Sequence, residues 1–116
     1  MEQLSNTVAH DEDMVCFGTD AAERWVGWES LKESLQKQFD AFENTKISIK
    51  DQVIKISQST DVAWMSYIMD AQAEVQGDHI NLEGIRITGV LEKRDSKWVI
   101  VQFHVSAPVA GQAIEY

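Results

Sequence analysis

One cysteine, one proline and a shortage of cations set the first limits on this chain of 116 residues. Cys16 has no second thiol to pair with, so no internal disulfide braces the fold. Its apolar neighbours Met14, Val15 and Phe17 mark it as a small buried hydrophobe rather than a nucleophile. The lone proline, Pro108, lies near the end, so none breaks the elements before it. Ten basic residues stand against 19 acidic ones, a net charge of −9. No cluster of Lys and Arg is available to track phosphates, so no nucleic acid and no anionic membrane is expected as a partner. No apolar run approaches the roughly 20 residues a membrane helix needs. "MEQLSNTVAH" carries neither a basic segment nor an apolar one. No signal peptide is expected, and the cytoplasm is the expected location. Zinc-ligand spacing, a P-loop, a dinucleotide glycine motif and a nucleophile elbow are all missing, so no metal and no cofactor is expected. "HDED" (His10–Asp13) reads as a solvated charge run, because adjacent residues on an extended chain point to alternate faces.

What remains is an ordinary globular composition, 44% hydrophobic and 25% charged, enough for a single domain over 1–116 with one core. Residues 1–12 are polar and hold at most an amphipathic turn or two around Leu4 and Val8. "DMVCFGTD" reads as a short strand ending at Gly18. From Trp28 to Glu43 the apolar positions are Trp28, Leu31, Leu35, Phe39 and Phe42, one stripe of a helix. About 16 residues at 1.5 Å each make it roughly 24 Å long. Glu29 and Glu33 lie in its early turns, where carboxylates suit the positive end of the helix dipole.

Strand patterns fill the rest. "KISIKDQVIKISQS" changes phase, from Ile47 and Ile49 to Ile54 and Ile56, which predicts a bulge near Asp51–Val53. Val62–Val75, Ile80–Arg94 and "KWVIVQFHVSAP" (Lys97–Pro108) follow, separated by the breakers "SQSTD", "QGDH" and "RDSK". Strands of about 15 residues would run roughly 50 Å if straight, so strong bending is expected, with Gly84 and Gly89 as bend points. One helix and a curved antiparallel sheet make an α+β domain. On the last strand Val99, Val101, Phe103 and Val105 alternate with Trp98, Ile100, Gln102, His104 and Ser106. One helix cannot cover two faces, so the second face is expected to meet another subunit.

"CFGTDAAERWVGWESL", "DVAWMSY" and "IRITGVLEKRDSKWVIVQFHVS" resemble the SnoaL-like branch of the NTF2-like (ketosteroid-isomerase-like) superfamily over roughly residues 13–107. The specific parts are Gly18, Thr19, Asp20, Arg24, Trp25 and Gly27, then Trp98, Ile100, His104 and Ser106. The resemblance implies a cystatin-like cone of curved sheet on helices, an apolar cavity inside, and a homodimer through the outer sheet face. Its members usually begin with a long helix that closes the cone; here that helix is short or missing. One such fold hosts isomerases, cyclases, dehydratases and bare dimerisation modules.

By that resemblance, the face carrying Trp98, Ile100, Gln102, His104 and Ser106 looks into the cavity. His104 is the candidate general acid or base there, the other reading being a buried histidine bonded to backbone. Arg86 and Thr88 share a face of the preceding strand. An odd hairpin loop puts Thr88 opposite His104, and Arg86 could then clamp a carboxylate; a two-residue loop turns Arg86 away. The alternative for Arg86 is an interface ion pair with Glu83 or Asp70. Trp28, Trp64, Trp98 and Tyr67 are candidate ligand contacts, or simply core. Tyr67 and Asp70 sit at odd separation, hence on opposite faces unless a bulge intervenes, and no motif carries the carboxylates and tyrosine of a steroid isomerase. The expected ligand is a small, apolar or weakly acidic molecule, bound with or without cofactor-free acid–base chemistry. The alternative is a homodimerisation or interaction module with no catalysis.

Overall fold

A computed structural model describes residues 1–116. The elements run α1 (Glu2–Thr7), β1 (Val15–Phe17), β2 (Arg24–Val26), α2 (Trp28–Ala41), β3 (Phe42–Ile56), β4 (Val62–Val75), β5 (Asp78–Arg94) and β6 (Lys97–Ser106). They form an α+β domain whose curved, unclosed sheet has the order β2-β1-β6-β5-β4-β3. All neighbours pair antiparallel except β1 with β6. The N-terminal helix is present but only six residues long. Strand β2 was not legible: three residues leave no period to read. The helix ends at Ala41, short of Glu43, because Phe42 adopts an extended conformation and opens β3 with no loop between.

The long strands bend where extra residues are inserted. Between Lys50 and Val53 the β3–β4 register shifts, with Asp51 at φ 54°, as the change of phase predicts. On β5, Met69 pairs Ile85 while Ala71 pairs Leu82, so one residue is extra. Gly84 absorbs it at φ 68°, a conformation that penalises a Cβ, and its N–H donates to Asp70 Oδ1 at 2.8 Å. Gly89 is not a bend. It pairs Phe103 in register, and its bare Cα makes room for Met65, whose Cε would lie 2.9 Å from a Cβ there. A further bulge, on β6, has no sequence signal: Val90 pairs Gln102 but Leu91 pairs Ile100, leaving Val101 over.

The packed core is small and lies at one end. Val8, Met14, Cys16, Trp25, Trp28 and Leu31 form it, with Leu4, Leu35, Ile100 and Phe103 against them. Cys16 is buried and free, and burial pushes its thiol pKa up. The "HDED" run is not a bare solvated stretch. His10 stacks on Trp28 at 4.5 Å and bonds the Ser5 carbonyl through Nε2 at 2.8 Å. Arg94 donates to both oxygens of Asp11, at 2.8 and 2.9 Å, tying the segment to the end of β5. No three His, Cys, Asp or Glu side chains gather as a metal set. No helix is long and apolar enough to cross a membrane.

Candidate functional site

The register decides which side chains share a face. Ala73, Ala71, Met69, Tyr67 and Met65 alternate along one side of β4, opposite Ile80, Leu82, Ile85, Ile87 and Gly89 of β5. Ile87 and Gly89 continue that side to Val105 and Phe103 of β6. This inner side and the C-terminal half of α2 enclose a cavity of about 680 Å³. Met69, Ile85, Phe103 and Val105 make its floor. Leu35 and Phe39 of α2, with Phe42 and Ile47 of β3, make its wall. Its mouth is open, since Leu82 and Phe39 both remain partly in water, Phe39 at 48% exposure.

One end of the cavity is polar. The β1–β2 connection places Thr19, Asp20 and Glu23 there beside Trp25. Gly18 explains how they come so close: a Cβ on it would stand 2.7 Å from Glu23 Oε1 and 2.8 Å from Trp25 Cη2. Backbone bonds hold the connection, Gly18 N–H to the Glu23 carbonyl at 2.8 Å and Glu23 N–H to the Asp20 carbonyl at 2.9 Å. Glu23 Oε1 then accepts the Asp20 N–H at 2.9 Å and the Thr19 hydroxyl at 3.4 Å. The carboxylate is therefore fixed in direction, as an acceptor held by local donors should be. Gln38 of α2 and Thr45 of β3 are further polar contributors.

The sequence reading had the right neighbours on the wrong face. The β5–β6 turn is the two-residue Asp95–Ser96, both at positive φ, which by itself would turn Arg86 away from His104. The bulge at Val101 restores the parity, so Thr88 pairs His104 and Arg86 pairs Ser106. Gln102, His104, Ser106, Thr88 and Arg86 do share a face, but it is the outer one: Phe103 and Val105 between them line the cavity. The same bulge puts Ile100 against the core although it has the parity of His104. His104 is exposed, and its ring lies 5.1 Å from that of Phe17. It is neither at the cavity nor a buried core histidine.

The remaining candidates scatter. Trp28 is core, stacked on His10. Trp98 is half-buried beside the core, on the side of Ile100, and lines no part of the cavity. Trp64 is 48% exposed on the outer face, between Lys55 and Val90. Tyr67 faces inward opposite Ile87, half-buried and outside the cavity lining, and desolvation raises its phenol pKa. Arg86 makes no ion pair within the chain; Asp70 instead faces Lys50 at 4.0 Å. Asp20 and Glu23 were missed as site residues. The "GTD" turn was visible, but only the folding of β1 onto β2 shows that it closes one end of a cavity.

Among curated proteins no sequence matches. Solved structures do. A nuclear transport factor 2 (NTF2-like) superfamily protein from Salmonella enterica superposes with a TM-score of 0.80 at 16% identity, over 96% of this chain and 80% of that one. The association domain of Caenorhabditis elegans CaMKII gives 0.69 at 21% identity, over 91% and 79%. A cystatin-like-fold protein from Caulobacter vibrioides gives 0.74 at 11% identity, over 94% and 76%. Identities this low speak for the fold alone. The SnoaL-like domain family model matches residues 1–110, nearly the whole chain, and with the sheet order and inner cavity above it places this protein in the SnoaL-like domain family of the NTF2-like fold.

Proposed function

We propose that this domain binds a small, mainly apolar molecule between α2 and the inner face of the sheet. The observation that carries the proposal is the cavity of about 680 Å³ with an apolar floor and wall and one polar end. That volume is in the range of small-molecule sites, and burying apolar ligand surface there would contribute roughly 25 cal/mol per Å². If the domain also catalyses, proton transfer at this site falls to Asp20 and Glu23, because no other titratable side chain lines it. His104 and Arg86 would act elsewhere, on the outer face.

The test is a titration with N-phenyl-1-naphthylamine, a neutral probe whose emission rises in apolar surroundings. Wild type and His104→Ala should bind it alike. Ala71→Phe, which fills the cavity from β4, should abolish binding while the protein stays folded. Loss in His104→Ala and retention in Ala71→Phe would place the binding site on the outer face instead.

A second reading has its own observation. Trp64 stands nearly half exposed on the outer face, in a sheet with no layer on that side. A large aromatic left in water on a strand is a common anchor for a partner, here a second copy of the chain. The C. elegans relative in fold is itself an association domain.

A further inference from the structure

The charges around the cavity are one-sided, and this bears on what enters it. We infer that the cavity selects a molecule with an apolar body and a cationic amine head, rather than the weakly acidic one the sequence suggests; this rests on the cavity being the binding site. Asp20 and Glu23 are the only charged residues in its lining, and no Lys, Arg or His joins them. A carboxylate ligand would bring a third negative charge to an end that holds two. An ammonium would meet both carboxylates, the exposed Asp20 and the half-buried Glu23, where the attraction is partly screened by water and rests on charge-assisted hydrogen bonding.

The local bonding leaves acceptors free for such a head. Glu23 Oε1 is taken by Asp20 N–H and Thr19, but Oε2 accepts nothing within the chain. Asp20 Oδ2 is likewise free, Oδ1 receiving only the long contact from the Thr19 hydroxyl at 3.5 Å. Trp25 closes on Gly18 beside Glu23, and its ring lies 6.4 Å from that of Phe103. Indole is the strongest of the natural cation–π partners, so aromatic and carboxylate sit on the same end of the cavity. The molecule as a whole, at −9, also attracts cations from a distance.

Calorimetric titration of the full chain with three indoles of nearly equal size tests this. Tryptamine carries an ammonium, tryptophol a hydroxyl and indole-3-acetate a carboxylate. Tryptamine should bind about tenfold more tightly than tryptophol, the scale of one charge-assisted hydrogen bond, and indole-3-acetate most weakly. In the doubly substituted Asp20→Asn, Glu23→Gln protein, tryptamine should fall to the affinity of tryptophol, with tryptophol unchanged. Glutamine keeps an acceptor for the Asp20 N–H, so the turn is retained. Tryptophol binding as well as tryptamine, or a tryptamine preference that survives the double substitution, overturns the amine inference and leaves the cavity reading standing. If none of the three binds, both fall.

Discussion

The two ends of α2 carry the same kind of side chain and meet opposite fates. Trp28 and Leu31 are buried, Leu31 at 1% exposure; Phe39, further along the same stripe, and Phe42, which opens β3 just beyond the helix, stand partly in water. The sheet repeats the division. Near β1, β2 and β6 the inner side is covered by α1, the start of α2 and the segment Arg94 ties down. Across β3, all fifteen residues are exposed, including Ile47, Ile49, Ile54 and Ile56 on the inner side. The amphipathic pattern is the same at both ends; what differs is whether a second layer arrives. The covered end holds the packed core, and the open end holds the cavity.

The largest expected effect compares these ends directly. Leu31→Ala should destabilise the protein by about 2–5 kcal/mol, the range for a fully packed aliphatic truncated to alanine. Ile54→Ala, with the native side chain 57% exposed, should change stability by no more than about 0.5 kcal/mol. Urea unfolding of the two variants reads both. Equal losses would mean that β3 is covered in solution, by another copy or another layer.

A smaller effect sits where the covered end is fastened. The Arg94 guanidinium holds the Asp11 carboxyl below its ordinary 3.8. A carboxylate whose folded pKa is depressed adds stability above its unfolded pKa, and that contribution is lost as the pH falls through the folded value. Wild type should therefore lose stability on acidification below 3.8 more steeply than Asp11→Asn, whose side chain does not titrate. The pair is partly open to water, so the difference should shrink in high salt. Melting temperatures between neutral pH and pH ~3 would show it; identical pH profiles would mean the contact does not hold the segment in solution.

How much of this was legible follows from period. The stripe of α2 and the change of phase in β3 are periodic signals, and both elements form there, though the helix stops at Ala41 and β3 already begins at Phe42. The face of His104 was lost to a single inserted residue. Because Ile100 and Val101 are both apolar, no change of hydropathy marks the bulge, and alternation read from Trp98 carries straight through it. Asp20 and Glu23 were lost for another reason. A carboxylate in a turn looks the same in sequence whether it faces solvent or the end of a cavity. The exposure of β3 was also invisible, since alternating isoleucines state which side wants cover and not whether cover is present.

The smallest expected effect on folding is the most informative about the outer face. Trp64 lies across from Val90 on β5, and neighbouring positions on that side are held by Ile68, Arg86 and Thr88. Replacing Trp64 with Arg removes an exposed aromatic and adds a charge, so the folded monomer should change by about 0.5 kcal/mol or less. If two copies meet through this face, the added charge must be desolvated opposite its own symmetry mate or near it, which is costly. Light scattering should then find wild type as a dimer at micromolar concentration and Trp64→Arg as a monomer with an unchanged melting transition. A wild type that is already monomeric removes the second reading. A dimer that survives the substitution moves the contact off this face, and the exposed isoleucines of β3 become the surface that holds it.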